Sequence, residues 1–169
     1  MAESKSLLVY AGVRDAQQKY DYFIAGVTGA LFAYIAQTYT PRRIELNPSV
    51  FEPLALVFLA LSFYLALRRI ENTTLIGMLN HQQLDANEKA GESAKALRAG
   101  NNVVTDGGTL IGGQALHTMY GELKGLADDA SRMTDKAIAQ GDRYYHHRNA
   151  FLMGGFVSIF LAKLLQPYV

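Results

Sequence analysis

The chain lacks cysteine entirely among its 169 residues. Disulfide bonds, thiolate metal sites and cysteine nucleophiles are therefore excluded. Net charge is also nearly absent, because 16 Lys and Arg residues face 15 Asp and Glu residues, which gives a formal charge of +1. Proteins that bind nucleic acid over a broad surface rely on a strong positive field. We therefore do not expect nucleic acid as a partner.

Motifs for a reaction or a cofactor are lacking as well. The four histidines do not show a His-Glu-x-x-His or comparable metal-ligand spacing. The glycine-rich segment at residues 100–113 has no Gly-Lys-Ser/Thr ending, which a phosphate loop of the Walker type requires. No serine, histidine and acidic residue occur in a recognisable nucleophile setting. We predict no catalytic residue, no metal and no cofactor, and we expect that the chain is not an enzyme.

What the chain does contain is three apolar segments, at residues 22–39, 50–67 and 149–165. The first two approach the ~20 residues with which a helix crosses a ~30 Å hydrocarbon layer. The third is shorter, and the long side chain of Lys163 would have to reach the far interface. A buried or re-entrant helix is the alternative for this segment. The predicted class is an all-α integral membrane protein with three transmembrane helices and a long cytoplasmic helical, coiled-coil hairpin between the second and the third.

The distribution of basic residues predicts the orientation, since cytoplasmic loops hold the excess of Lys and Arg. Arg68 and Arg69 follow the second segment, and Arg143 and Arg148 precede the third. We therefore expect a multi-pass protein of the inner cell membrane. Its N-terminus and long loop would lie in the cytoplasm, and its short loop and C-terminus would lie outside.

Four regions follow from this topology. Residues 1–20 are a cytoplasmic amphipathic helix or a plain extension of the first span. The other regions are a two-helix transmembrane hairpin at 21–67, a cytoplasmic helical hairpin at 68–148 with a tip loop at 100–113, and a third transmembrane helix with a short outer tail at 149–169.

The second half of the long loop carries a heptad repeat, because apolar residues recur at alternating spacings of three and four. This pattern is typical of a coiled-coil helix. The seam either packs the two arms of one hairpin together or joins copies into a homo-oligomer. Its residues are Leu116, Met119, Leu123, Leu126, Ala130, Met133, Ala137, Gln140 and Tyr144.

Small residues at fourfold spacing mark the first and third apolar segments. Such residues let helix backbones approach closely, which drives helix association in lipid. We expect the two faces to pack on each other, within one subunit or between subunits. They are formed by Ala25, Gly29 and Ala33 in the first segment, and by Gly154, Ser158 and Ala162 in the third.

Two further groups of residues lie at the membrane. Basic side chains at the ends of the apolar segments predict a lipid interface, with binding of anionic headgroups or pH sensing as roles and simple anchoring as the alternative. Polar groups within the segments are candidates to line a pore, unless each bonds to its own helix backbone. The interface residues are Arg68, Arg69, Arg143, His146, His147 and Arg148, and the pore candidates are Thr28, Gln37, Ser62 and Ser158.

At the tip of the loop, two β-rich triplets flank an Asp-Gly-Gly turn signal, which favours a small β-hairpin. Its exposed edge would pair with a partner or a neighbouring copy by strand addition, and a flexible connecting loop is the alternative. The candidate partner residues are Val103, Val104, Asp106, Leu110 and Ile111.

Three functions are compatible with this layout. The first is an oligomeric membrane scaffold or accessory subunit in the lipid bilayer, whose hairpin recruits a cytoplasmic protein partner at its tip. The second is a homo-oligomeric channel or pore-forming effector gated by the hairpin. The third is a membrane enzyme or cofactor binder that uses the histidines near the interface. A coupled pump is not expected, because the middle of each apolar segment lacks ionisable residues.

Overall fold

A computed structural model describes residues 2–39, 50–100, 103–104 and 110–165 of the chain. Three long helices account for most of them: α1 (Ala2–Thr38), α2 (Phe51–Ala99) and α3 (Gly113–Leu165). The all-helical class predicted from the sequence is confirmed. Between α2 and α3, the two-residue strands β1 (Val103–Val104) and β2 (Leu110–Ile111) form a short antiparallel ribbon.

Local sequence explains where α2 begins and ends. Pro53 lies in its first turn, where a residue without a backbone N–H costs no helical hydrogen bond. At the other end Gly100 adopts a φ of 64°, a left-handed conformation that glycine tolerates far better than other residues. Its backbone N–H donates to the carbonyl oxygen of Leu97 at 3.3 Å. The chain thus leaves the helix and enters the ribbon.

Two of the helices are long and apolar enough to cross a membrane. The best 18-residue windows of α2 and α3 have mean hydropathies of 1.7 and 1.3, and only 28% and 22% of these windows are buried. Helices of this composition in the core of a soluble protein are mostly buried. The described part of α1 holds no such window, because tyrosine, threonine and glutamine interrupt its apolar residues. The coarse prediction of membrane-crossing helices therefore holds for α2 and α3.

The chain divides into two compact units. The first comprises Met1–Thr73 and Gln140–Val169, and the second comprises Thr74–Ala139. In the described part of the first unit, α1 runs without interruption past residue 20 and meets portions of α2 and α3. The predicted boundary after residue 20, between an N-terminal helix and a first span, therefore lies within one continuous helix.

Glycines on α1 and α3 lie against aromatic rings of α2. A Cβ atom added to Gly29 would lie 3.1 Å from the ring of Phe63, and one added to Gly154 would lie 3.1 Å from the ring of Phe58. Within one chain, these two glycines therefore lie against α2 and not against each other, and packing of the two faces between subunits stays a prediction. Each glycine provides a recess for a bulky ring of the intervening helix. Of the other small residues, Ala25, Ser158 and Ala162 are buried, whereas Ala33 is exposed.

In the second unit, the buried residues of α3 recur at heptad spacing in two rows. One row agrees with the prediction and the other does not. Three of the predicted seam residues are buried, but the second row consists of Ala127 and Thr134. Their larger neighbours Leu126 and Met133 are 49% and 58% exposed. Small side chains permit close helix contact, whereas the prediction followed the largest apolar residues. The predicted residues that are buried are Leu116, Ala130 and Ala137, and Met119 and Leu123 are half-buried.

The ribbon at the tip has the antiparallel pairing that the turn signal predicts. Val103 is opposite Ile111, and Val104 is opposite Leu110. Asp106 lies outside the described residues. Binding of a partner to the ribbon edge stays a prediction.

Candidate functional site

The first unit contains an ionic cluster to which each of the three helices contributes one residue. Asp21 comes from α1, Arg69 from α2 and Arg148 from α3. All three side chains are buried, and that of Arg148 is fully inaccessible. Charged residues at such depth are found almost only in pairs or networks, because an unpaired buried charge is costly. The cluster is therefore a built feature of the helix packing.

The carboxylate of Asp21 bridges the two guanidinium groups. Its Oδ2 atom accepts a hydrogen bond from Nε of Arg69 at 2.8 Å, and its Oδ1 atom accepts one from Nη1 of Arg148 at 2.7 Å. Both distances are typical of strong, charge-assisted hydrogen bonds. One carboxylate thereby ties α1 to both other helices.

Further groups surround each guanidinium. Arg69 also donates from Nη1 to the backbone carbonyl of Gly141 at 2.9 Å, and Arg148 donates from Nε to Oδ1 of Asn149 at 3.1 Å. The ring of Tyr145 lies over both cations, with its centroid 4.7 Å from the Cζ atom of Arg69 and 5.1 Å from that of Arg148. The negative face of an aromatic ring stabilises a cation in this position.

The backbone of α3 beside the cluster is fastened to α2 by a hydroxyl group. Ser62 is fully buried and donates to the backbone carbonyl of Arg148 at 3.0 Å. This bond joins the two helices, and its donor and acceptor residues are 86 positions apart in the sequence. It fixes the position of the Arg148 backbone along the axis of α2.

The cluster is not electrically balanced. Two guanidinium groups share one carboxylate, which leaves one excess positive charge in a buried site. In addition, the Nη2 atom of Arg148 is buried and has no hydrogen-bond partner in the described part of the chain. Buried guanidinium N–H groups nearly always have an acceptor, so an unpaired one is informative.

Comparison with known proteins does not identify a family for this chain. No protein-family model, no curated protein and no solved structure matches the chain. A function for it must be inferred from its own residues.

The predicted lipid interface separates into two groups. Arg68, Arg143, His146 and His147 are exposed, as contacts with headgroups require. Arg69 and Arg148 are buried, so neither guanidinium lies open at the surface, and lipid contact for these two stays a prediction. The physical reason is Asp21, whose carboxylate offers both guanidinium groups a stronger and better oriented partner than the headgroup layer.

Arg68 differs from its neighbour Arg69 in its surroundings. Its Nε atom donates to the hydroxyl of Tyr64 at 3.0 Å, and its Nη1 atom pairs with Glu71 at 3.0 Å. The hydrogen bond to Tyr64 and the ion pair with Glu71 raise the pKa of Arg68 above its ordinary value. This exposed guanidinium therefore stays cationic at every accessible pH.

The polar residues predicted to line a pore lie mostly inside one chain. Thr28, Ser62 and Ser158 are buried, and only Gln37 is exposed. Thr28 donates its hydroxyl hydrogen to the carbonyl of Ile24, and Ser158 donates to that of Gly154. These two follow the alternative of bonding to their own helix backbone, while Ser62 bonds to another helix. None of the three faces the outside of the chain, where a pore between copies would form.

The second unit has a different feature, an apolar stripe on α3. Met119, Leu126 and Met133 recur every seven residues, and the last two are largely exposed. The stripe flanks the buried row on an arm that is otherwise rich in charged residues. Exposed apolar side chains in regular array mark contact sites for other molecules.

Sequence reasoning missed Asp21 and Tyr145 as site residues. The partners of Asp21 are 48 and 127 residues away in sequence, so no local motif joins them. One signal was available: Asp21, Arg69 and Arg148 all lie at those ends of the apolar segments that the orientation places on the same side of the membrane. A single acidic residue at the depth of two basic ones is a candidate ion pair. In the described part of the chain, no three His, Cys, Asp or Glu side chains are grouped to hold a metal ion.

Proposed function

We propose that this chain is a homo-oligomeric membrane scaffold whose cytoplasmic arms join copies side by side and recruit a protein partner at their tip. In this proposal α1, α2 and α3 each cross the membrane once. The N-terminus and Thr74–Ala139 are cytoplasmic, and the C-terminus is outside. Thr74–Ala139 forms an antiparallel helical hairpin that ends in the β-ribbon.

Membrane insertion is supported by the apolar side chains that the first unit exposes. A water-soluble protein rarely leaves so many large apolar residues uncovered in one region. Lipid chains would cover them at no cost in hydrogen bonding, since the helices satisfy their own backbone groups. Prominent among these residues are Phe23, Tyr34, Val57, Met153, Val157 and Phe160.

The observation that carries the scaffold proposal is the apolar stripe formed by Met119, Leu126 and Met133. Two copies in one membrane have the same orientation, so their α3 arms run parallel. Parallel coiled coils align equivalent heptad positions of the two chains, which places each stripe residue opposite its own copy. Burial of Leu and Met side chains in such a seam is a recognised source of association free energy.

The pore alternative has less support. Its candidate lining residues Thr28, Ser62 and Ser158 are buried within a single chain and already donate hydrogen bonds. A wet pore between copies would need polar groups on the outer surface of the first unit. Among the predicted pore residues only Gln37 is exposed there, and the other exposed side chains named in the apolar segments are apolar or tyrosine.

The test is the mass of the protein in lipid nanodiscs, measured by native mass spectrometry. We expect the unaltered chain to form a defined oligomer. The double variant Leu126→Gln, Met133→Gln should yield monomers, because the amides remove apolar burial from the seam. The matched control is Met78→Gln, Leu84→Gln, which alters two exposed apolar residues on α2 and should leave the oligomer intact. Unchanged mass of a folded stripe variant would refute the role of the stripe.

A further inference from the structure

The buried cluster of Asp21, Arg69 and Arg148 carries one positive charge more than it carries negative charges. A monoanion would balance it, whereas a dianion would reverse the imbalance. The open hydrogen-bond position is the buried Nη2 atom of Arg148, which has no partner in the described residues. A ligand that suits this site is therefore a singly charged acceptor with an oxygen that reaches this one atom.

The position of the cluster along the helices indicates where such an acceptor comes from. Asp21 directly precedes the apolar segment 22–39, Arg69 follows the segment 50–67, and Arg148 precedes the segment 149–165. With the helices inserted as proposed above, the cluster lies at the boundary between hydrocarbon and headgroups. Phosphodiester groups of phospholipids are concentrated at this depth, and each carries a single negative charge.

Two aromatic rings lie over the guanidinium of Arg148, and one of them is exposed. The ring of Tyr20 lies over its guanidinium, with 5.7 Å between the Cζ atom and the ring centroid. Tyr20 is 46% exposed, whereas Tyr145 on the same cation is half-buried. A ligand that reaches Arg148 from outside the chain would require the exposed Tyr20 side chain to rotate away. We therefore assign Tyr20 as the cover of the site.

We infer that Arg148, beneath Tyr20, binds the phosphodiester of one anionic phospholipid per chain through its Nη2 atom. This inference rests on the membrane insertion in the proposed function. It differs from a diffuse basic belt at the headgroups, because it assigns one lipid to one buried donor. An anionic lipid is preferred to a zwitterionic one, since a choline group would bring a second cation close to a cluster that is already positive.

The experiment is native mass spectrometry of the full chain released from nanodiscs that contain equal amounts of phosphatidylglycerol and phosphatidylcholine. We expect one phosphatidylglycerol per chain to be retained when other lipids have dissociated. Arg148→Gln should reduce this retention by about tenfold or more, the loss expected for one hydrogen bond to a charged group. Arg132→Gln is the matched control, because it removes an equal charge from an exposed position on the same helix, outside the predicted lipid interface, and should retain the lipid.

A second variant protects the test against misfolding of Arg148→Gln. Tyr20→Ala keeps the cluster and removes the cover, so the bound phosphatidylglycerol should exchange faster with added lipid. An unchanged exchange rate would overturn the inference. So would equal retention of phosphatidylcholine and phosphatidylglycerol.

Inorganic phosphate, added to the protein in detergent, tests whether the site binds a free anion or a lipid phosphodiester. Protection against heat by phosphate alone, equal to that by phosphatidylglycerol, would show a site for free anions and overturn the lipid assignment. Protection by neither would show that water completes the site, with the same consequence. If the chain still inserts and forms its oligomer in these cases, the proposed function stands while this inference fails. Failure to enter nanodiscs would instead remove the proposed function.

Discussion

Asp21 is the residue on which the packing of the first unit depends most. Its two carboxylate oxygens hold one guanidinium from each of the other helices. Removal of one member of a buried ion pair leaves the other charge uncompensated, which is more damaging than loss of the attraction itself. In this cluster two positive charges would remain close together.

We predict that Asp21→Asn lowers the free energy of unfolding by about 3–5 kcal/mol, the range for a broken buried ion pair. The measurement is the loss of helical signal on heating in detergent. Asp15→Asn is the control, because Asp15 forms an exposed ion pair with Lys19 one turn apart on α1. Exposed pairs contribute only about 0–1 kcal/mol. If both variants melt alike, the cluster does not hold the helices together.

Sequence reasoning at the residue scale located the arginines but did not predict their burial. Arg69 and Arg148 were placed correctly at the ends of apolar segments, because that position follows from composition alone. Their burial depends on the direction in which each side chain points around its helix. Packing among three helices sets that direction. No local sequence pattern around Asp21 predicts it.

At the scale of the elements, close helix contact depends on glycines opposite large side chains. A Cβ atom added to Gly155 of α3 would lie 2.9 Å from Cδ2 of Leu59 on α2, and Leu59 is fully buried. By contrast, a Cβ atom added to Gly26 of α1 would meet nothing within 4 Å. The two positions differ in available space and not in residue type.

Gly155→Val should therefore destabilise the protein by about 1–3 kcal/mol, as overpacking of a filled core typically does. Gly26→Val should have a smaller effect, because the added methyl groups face open space. Thermal unfolding of both variants in the same detergent is the measurement. An equal loss of stability would mean that helix propensity, and not contact with Leu59, determines the outcome.

The heptad seam shows how far periodicity alone can predict an element. The spacing of three and four correctly indicated a helix, and the row with Leu116, Ala130 and Ala137 is buried. The second row buried within the chain is Ala127 and Thr134, so Leu126 and Met133 do not belong to an internal seam, and their role in a seam between copies stays a prediction. Large apolar residues are ambiguous in this respect, since they suit both a contact within the chain and one with another chain.

At the scale of the whole molecule, the order and class of the helices follow from the apolar segments and the turn signals. The proposed three-span topology adds an orientation, which the absence of cysteine makes simple to measure. A cysteine introduced in place of Ser49, in the short loop that the sequence predicts, should react with a membrane-impermeant maleimide in intact cells. One introduced in place of Glu88, on the arm proposed to be cytoplasmic, should react only after the cells are lysed. The reverse pattern would invert the orientation.

A scaffold should leave the membrane sealed, whereas a pore should not. We therefore predict that liposomes containing the oligomer retain an encapsulated fluorescent dye and a potassium gradient as well as empty liposomes do. The double variant at Leu126 and Met133 provides the comparison, since it lacks the proposed assembly. Release of either solute that depends on assembly would favour the channel over the scaffold.

The chain order of the ionic cluster has a consequence for biogenesis. The ribosome makes Asp21 first, Arg69 later and Arg148 last, so in the proposed topology the first helix would enter the membrane with its carboxylate still unpaired. Arrival of α2 supplies one counterion, and only the last helix completes the site. A chain whose synthesis stops before α3 would therefore hold Asp21 and Arg69 as a one-to-one ion pair, and only the full-length chain would carry the second guanidinium.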